Sequence, residues 1–334
     1  MKIAFIGVPI GLGADRKGVE SAPDIFRRYG IIEMLEHIAG CYDLGDVNSS
    51  LIAEGKHSAD HKLKYLNTVE DVTRQLRDKV SSVIRQGYFP LVIGGDHSLG
   101  LGSGAGAALA FDDLGVVWFD AHGDFNTEES SPTGNLHGMP CAALMGWCKS
   151  SLNSVALRKI PPQNFFWVGA RDLDKGECEM ATRHGLHIYS SEEVRQKGMN
   201  VVMDEIEVHL KAQGIRNLHL SIDIDGMDPS IVCGTGTRVD NGILNGEFYT
   251  FIDRIFNTWM VHSADFVEYN PLLDEADRTT FKWCLEALHY LAIKIDKYCL
   301  ICLFLYTIII DGISSHRDRF FFTVNLRNLL RVSL

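Results

Sequence analysis

The chain has 334 residues, a net charge of −11 and 46% hydrophobic content, enough apolar material for the core of one large α/β domain or two smaller ones. The acidity comes without any dense basic stretch, which argues against a nucleic-acid partner and mildly favours a cationic substrate. Eight cysteines are scattered, and Cys299 with Cys302 forms the single C-x-x-C, so neither a disulfide framework nor a structural zinc is expected.

Lys2 to Val8 reads as a first buried strand. The same N-terminus is too short for a signal peptide and lacks a cleavage-type ending, so a reduced cytoplasmic setting is expected. Gly11-Leu12-Gly13 follows in a loop, without the third glycine of a dinucleotide fingerprint. Ser21 and Pro23 mark a helix start, and Ile25, Phe26, Tyr29, Ile32 and Leu35 continue at helical spacing. Asn67 to Gln86 is amphipathic, with Val69, Val72, Leu76, Val80 and Val83 on one side. Strands follow at Leu91–Ile93, Val116–Phe119, Phe165–Val168, Leu186–Tyr189, Leu218–Ile222 and Val261–Val267, with helical patterns near Ser191–Ala212, Gly246–Trp259 and Glu275–Ile293. This alternation implies right-handed βαβ units and a parallel sheet. About eight strands in an open three-layer αβα sandwich are expected, as a single domain over 1–293. Tyr298 to Ile310 is an apolar run of thirteen, short of the ~18–20 residues that span a bilayer. A basic, Phe-rich tail through Arg317, Phe320 and Arg327 follows, so 294–334 reads as an atypical terminus with no firm membrane signal.

Three of the strands end in metal-ligand chemistry. Leu91–Ile93 runs into Gly94-Gly95-Asp96-His97, Val116–Phe119 into Asp120, His122 and Asp124, and Leu218–Ile222 into Asp223 and Asp225. Residues two apart in extended chain share a side, so each set can converge. Open α/β sheets place their ligands at these C-terminal strand ends. Two imidazoles, four carboxylates and no thiolate make an oxygen-rich donor set, which suits manganese. Four crowded carboxylates repel and take up protons, whereas two divalent cations balance their formal charge of four. Two metals sharing a bridging carboxylate, roughly 3.5–4 Å apart, are therefore expected.

The motifs GGDHS at 94–98, DAHGDFNT at 120–127, TGNLHGMP at 133–140, SIDIDGMDP at 221–229, GTGT at 234–237 and EYNP at 268–271 resemble the ureohydrolase family, and within it the arginases. The likeness runs from IGVPIGLGADRKGVESAP in the first strand to about Ile293. The resemblance implies an eight-stranded parallel sheet and two Mn²⁺ ions. One would be held by His97, Asp120, Asp124 and Asp223, the other by Asp120, His122, Asp223 and Asp225. It implies hydrolysis of L-arginine to L-ornithine and urea by a metal-bridging hydroxide, with Asp124 carrying a proton to the departing amine. His137 matches the position assigned to proton shuttling, and Glu268 the carboxylate that pairs with the guanidinium. Asn126, Ser131, Thr133 and Asn135 would meet the substrate carboxylate, directly or through water. Asp174 would meet its ammonium with Glu177 just behind, and Thr237 would complete the binding set. Trimers or hexamers are usual for arginases. Agmatine, a guanidino acid or formiminoglutamate are the alternative substrates, and a metal-binding scaffold without catalysis is a third reading.

The chain departs from the family pattern in places. Thr133 stands where Ser is usual, and Arg238 where Pro follows GTGT. Asn241-Gly242 replaces a Gly pair. Glu128 and Glu129 add negative charge that would favour cations over zwitterions at the mouth. The family's usual C-terminus is not recognisable.

Overall fold

A computed structural model describes residues 1–48 and 62–313, with side chains through Lys297. The expected tail through Arg317, Phe320 and Arg327 lies outside the described residues. Backbone packing groups Met1–Asp296 into one unit, and a second begins at Lys297.

The described strands are β1 (Ile3–Val8), β2 (Cys41–Asp46), β3 (Phe89–Gly94), β4 (Leu114–Phe119), β5 (Phe165–Gly169), β6 (His187–Ser190), β7 (Asn217–Asp223) and β8 (Met260–Val267). They form one sheet in the order β2-β1-β3-β8-β7-β4-β5-β6, and every pairing is parallel. Alternation along β1 shows why helices must cover both faces. Ile3 and Phe5 point into one apolar core, and Ala4, Ile6 and Val8 into the other. Helices α1 (Ala22–Arg28), α2 (Ile31–Ala39), α7 (Ser191–Lys197), α8 (Met199–Ala212), α9 (Asn245–Thr258) and α10 (Thr279–Ile313) bury side chains in the first core, in α10 from its N-terminal half. Helices α3 (Leu66–Arg85), α4 (Gly100–Ala108), α5 (Pro140–Met145) and α6 (Lys175–His184) pack on the other. The result is the expected three-layer αβα sandwich.

Several elements differ from the sequence expectation, each for a local reason. The first helical pattern is split into α1 and α2 at Gly30, and the Ser191–Ala212 pattern into α7 and α8 at Gly198, both glycines having positive φ (81° and 83°). The β2 strand is exposed along most of its length. As an edge strand it carries no hydrophobic alternation to betray it. The α4 sequence GLGSGAGAA has poor helix propensity, yet it is fully buried. A Cβ at Gly102 or Gly106 would lie 2.7 Å from a carbonyl oxygen of α3, so the glycines permit a close helix–helix approach. Past Ile293 the α10 backbone continues through the apolar run to Ile313. Among the described residues, no helix is long and apolar enough to cross a membrane.

The sheet order brings together strand ends that are distant in sequence. Strands β3, β8, β7 and β4 are consecutive neighbours, so the chain just beyond Gly94, Phe119, Asp223 and Val267 meets along one edge. The turn after β3 is fixed by close backbone contact. Asp96 N–H donates to Ile10 O (2.9 Å), and Glu268 N–H donates to Gly95 O (2.9 Å). A Cβ at Gly95 would stand 1.8 Å from Ile10 O. Replacing Gly95 with Ala is therefore expected to cost about 1–3 kcal/mol of stability through overpacking in urea denaturation. Gly246→Ala, in a helical turn with open space around it, should be neutral or stabilising.

Candidate metal centre

His97 enters from the turn after β3, which Asp96 caps by accepting from Ser98 N–H (3.0 Å). The other Asp96 oxygen accepts from Gly13 N–H (2.8 Å). Asp120, His122 and Asp124 follow β4, and Asp223 and Asp225 close β7. The three residues after β4 do converge, but the chain there is not extended throughout. The strand stops at Phe119, and Asp124 turns left-handed, with φ 55°. Phe125 N–H then donates to Glu177 Oε1 (3.0 Å), which holds the bend.

Asp120 lies at the middle of the cluster. Ligand atoms of His97, Asp120 and Asp223 lie within 4.8 Å of one another, as do those of Asp120, His122 and Asp225. Asp120 Oδ2 is 3.0 Å from His97 Nδ1, and Asp120 Oδ1 is 3.3 Å from His122 Nδ1, so the two carboxylate oxygens serve two groups. Asp124 Oδ2 and Asp223 Oδ2 complete the surroundings of His97 Nδ1 at 3.0 and 3.2 Å. Asp225 Oδ2 lies 3.2 Å from His122 Nδ1. The other Asp223 oxygen, Oδ1, accepts the Asp225 N–H (2.9 Å).

The hydrogen bonds behind His97 decide what Nδ1 can be. Ser221 Oγ donates to Asp265 Oδ1 (2.5 Å), so toward His97 Nε2, 2.8 Å away, the same hydroxyl acts as acceptor. Nε2 therefore carries the proton, and Nδ1 of the neutral ring holds a lone pair. That lone pair faces three carboxylate oxygens, and Nδ1 is buried without a hydrogen-bond partner. Four acceptors around one point are satisfied by a cation or by extra protons, and the titration behaviour agrees. Burial pushes Asp223 well above the carboxylate range, with Asp225 and Asp120 adding to it. Burial and Asp120 push Asp124 up to about 6. Burial alone would lower both imidazoles, yet the carboxylates around them raise His97 and His122 well above their ordinary value. The residues fit a pair of divalent cations.

A cavity of about 300 Å³ opens beside this centre, lined by His122, Asp124, Asn126, Ser131, Thr133, Asn135, His137, Asp174, Glu177 and Thr237 among others. A wider mouth of about 670 Å³, lined by Asp15, Arg16, Arg238 and Glu268, shares His122, Asn135, His137 and Thr237 with it. Asn126 Nδ2 donates to Asp174 Oδ2 (2.8 Å), and Ser130 Oγ donates to Asn126 Oδ1 (2.8 Å), so the Asn126 amide is held in one orientation. Ser131 Oγ accepts from Gly134 N–H and Thr133 Oγ1 from Asn135 N–H, which shapes the loop. Glu177 is buried; its oxygens hold the N–H groups of Phe125 and Asp174, and burial drives its carboxyl up to about 8. Thr237 Oγ1 donates to Asp225 Oδ2 (2.8 Å), so its hydroxyl braces a carboxylate of the cluster.

The expectation that Glu128 and Glu129 charge the mouth does not hold. Glu128 accepts from the N–H groups of Lys149 and Ser150, and Glu129 pairs with Lys149; neither lines either cavity. Arg238 does line the mouth, and donates to Leu273 O (3.3 Å). Asn241 takes a left-handed backbone, φ 65°, which Asn tolerates better than most residues. Several supporting residues carried no recognisable motif. Arg171 donates to the carbonyls of Asp225, Gly226, Met227 and Val239, tying the turn after β7 to the loop beyond it. Asp265 is fully buried, and a charged residue inside an apolar strand was the available signal.

A family model described as the Arginase family matches residues 1–292. The chain belongs to the arginase family. The arginase of Bacillus caldovelox is 40% identical over 280 residues, covering 83% of this chain and 93% of that protein. The crystal structure of Bacillus subtilis arginase superimposes with a TM-score of 0.79 at 39% identity, over 87% of this chain and 98% of that one. The Entamoeba histolytica arginase, solved with L-ornithine, gives 0.80 at 34% identity, over 86% and 97%. This chain is a family hydrolase whose His/Asp cluster suits a binuclear metal site.

Glu268, left-handed at φ 67°, gives one oxygen to His97 N–H (2.9 Å), and the same oxygen lies 3.4 Å from His137 Nδ1. Burial would lower the His137 pKa, but Glu268 and the more distant acids lift it from 6.5 to about 9. A raised imidazole stabilises the fold fully below about pH 6.5, and its contribution fades as pH rises through about 9. In metal-free protein, NMR titration is expected to find His137 protonated at neutral pH, and Glu268→Gln should bring its midpoint down.

Proposed function

We propose that the chain hydrolyses L-arginine to L-ornithine and urea with two manganese ions bound. The observation that carries the reading is the His97 Nδ1 lone pair facing the oxygens of Asp120, Asp124 and Asp223, next to a cavity walled by amide and hydroxyl groups. His97, Asp120, Asp124 and Asp223 would hold one ion; Asp120, His122, Asp223 and Asp225 would hold the other. The hard, oxygen-rich set favours manganese over zinc. When bound, the cations would lower the pKa of a bound water toward neutrality and so supply a nucleophile.

The rest is done by side chains. Asp124 lies on both the centre and the cavity. It accepts the proton of the attacking water and delivers it to the departing amine. Glu268 turns its remaining oxygen to the guanidinium. His137, on both cavities, exchanges protons with solvent. Asn126, Ser131, Thr133 and Asn135 receive the substrate carboxylate, and Asp174, backed by Glu177, receives the ammonium. Support for this amino-acid end comes from the arginases the chain is similar to, one of which was solved with L-ornithine. The same reading makes residues 1–293 the catalytic unit, with 294–334 outside it, and the protein a cytoplasmic homotrimer or homohexamer, which sedimentation equilibrium tests.

Metal analysis of saturated protein is expected to return two equivalents of manganese, and Asp225→Ala should retain one and lose more than about 100-fold in kcat/KM. Urea release should favour L-arginine over agmatine; a preference for agmatine would overturn the substrate assignment. His137→Asn should lower kcat by roughly 100-fold or more without changing metal content.

A further inference from the structure

Lys62–Tyr65, a short strap that leads into α3, lies against the loop that carries Ser131, Thr133 and Asn135. Lys64 N–H donates to Gly134 O (3.1 Å), and Lys62 Nζ donates to Ser131 O. A Cβ at Gly134 would meet Lys62 O at 2.1 Å, so the two backbones touch with no room for a side chain. At the end of the strap the Lys64 ammonium donates to Asn135 Oδ1 (2.6 Å) and to both oxygens of Asp15 (2.8 and 3.0 Å). Asn135 Nδ2 donates to Asp15 Oδ2 (3.0 Å). Three side chains from three separate segments thus close a ring at the rim shared by the two cavities.

The ring determines which end of the Asn135 amide is free. An ammonium has only donors, so it takes the amide oxygen and forbids the flipped orientation. One Asn135 N–H goes to Asp15, and the second is left for the cavity that Asn135 lines. The ammonium also neutralises Asp15, whose carboxyl is held below its ordinary range by Lys64 and then by Asn135. Without Lys64 the site would present an uncompensated carboxylate at its rim and an amide held in its orientation by Asp15 alone. Both changes disfavour a substrate carboxylate, and neither disfavours a substrate that lacks one.

We propose that Lys64 is a positioning residue that sets the site's discrimination for guanidino substrates bearing an α-carboxylate, acting through Asn135 and Asp15. The inference rests on the amino-acid substrate proposed above. Charge-assisted hydrogen bonds of this kind set the scale of the effect.

The test compares L-arginine with agmatine, which lacks the carboxylate, using the full chain loaded with manganese. In Lys64→Met, KM for L-arginine is expected to rise roughly tenfold with kcat within about twofold, while KM for agmatine stays level or falls. Lys64→Arg, which keeps a cationic donor, should restore most of the discrimination. Asp15→Asn keeps the strap's own lysine and guards against a misfolded Lys64 variant; it should shift the ratio of the two kcat/KM values by less than Lys64→Met. Equal losses on both substrates would show a merely structural strap and overturn the proposal, as would an unchanged ratio in a wild type that prefers L-arginine. A wild type that prefers agmatine would instead overturn the substrate reading, and this inference with it.

Discussion

Mutual repulsion among buried carboxylates is the constraint around which this protein is arranged. Asp120, Asp124, Asp223 and Asp225 are all buried and crowd two imidazoles whose near nitrogens face oxygen. Such a cluster is unstable as bare charge. Nearby groups are arranged to fix it in place: Trp118 Nε1 donates to Asp120 Oδ2 (2.9 Å) while its ring stacks on His97, Thr237 holds Asp225, and Ser221 with Asp265 fixes the His97 tautomer. Rigid acceptors crowded in this way form a site that takes up protons or is completed by cations.

The sheet makes the crowding possible. Parallel strands send their C-terminal ends to one edge, and four adjacent strands contribute there. Two residues at the edge, Asp124 and Glu268, adopt left-handed backbone that non-glycine residues rarely accept. Backbone strain of this kind persists where the surroundings over-determine it, and here hydrogen bonds from Phe125 and His97 N–H groups do so.

Much of this was legible in the chain because its signals are short-range. Apolar runs ending in Asp-x-His-x-Asp, Asp-x-Asp and Gly-Gly-Asp-His can be read within ten residues, and they gave both the strands and the side chains that cluster at their ends. What escaped depends on partners far away. The α4 glycines look like a loop until α3 lies across them, and the β2 edge has no buried face to impose alternation. Lys64 stands in a stretch without pattern, and its meaning comes from Asp15 and Asn135. Glu128 and Glu129 erred in the opposite sense: their charge was plain, but its direction was settled by the turn at Lys149 and Ser150.

The strand order also carries a consequence for how the protein matures. Strands β7 and β8 are the last of the described strands, yet they sit between β3 and β4, wedged into the middle of the sheet. Until both have docked, His97 and Asp120 cannot be neighbours and Glu268 is not yet in place, whereas β7 alone, paired with β4, carries Asp223 and Asp225 to Asp120. A nascent chain interrupted before Val267 could therefore bring Asp225 to Asp120 and His122, but the group around His97 has to wait for the closing step of assembly.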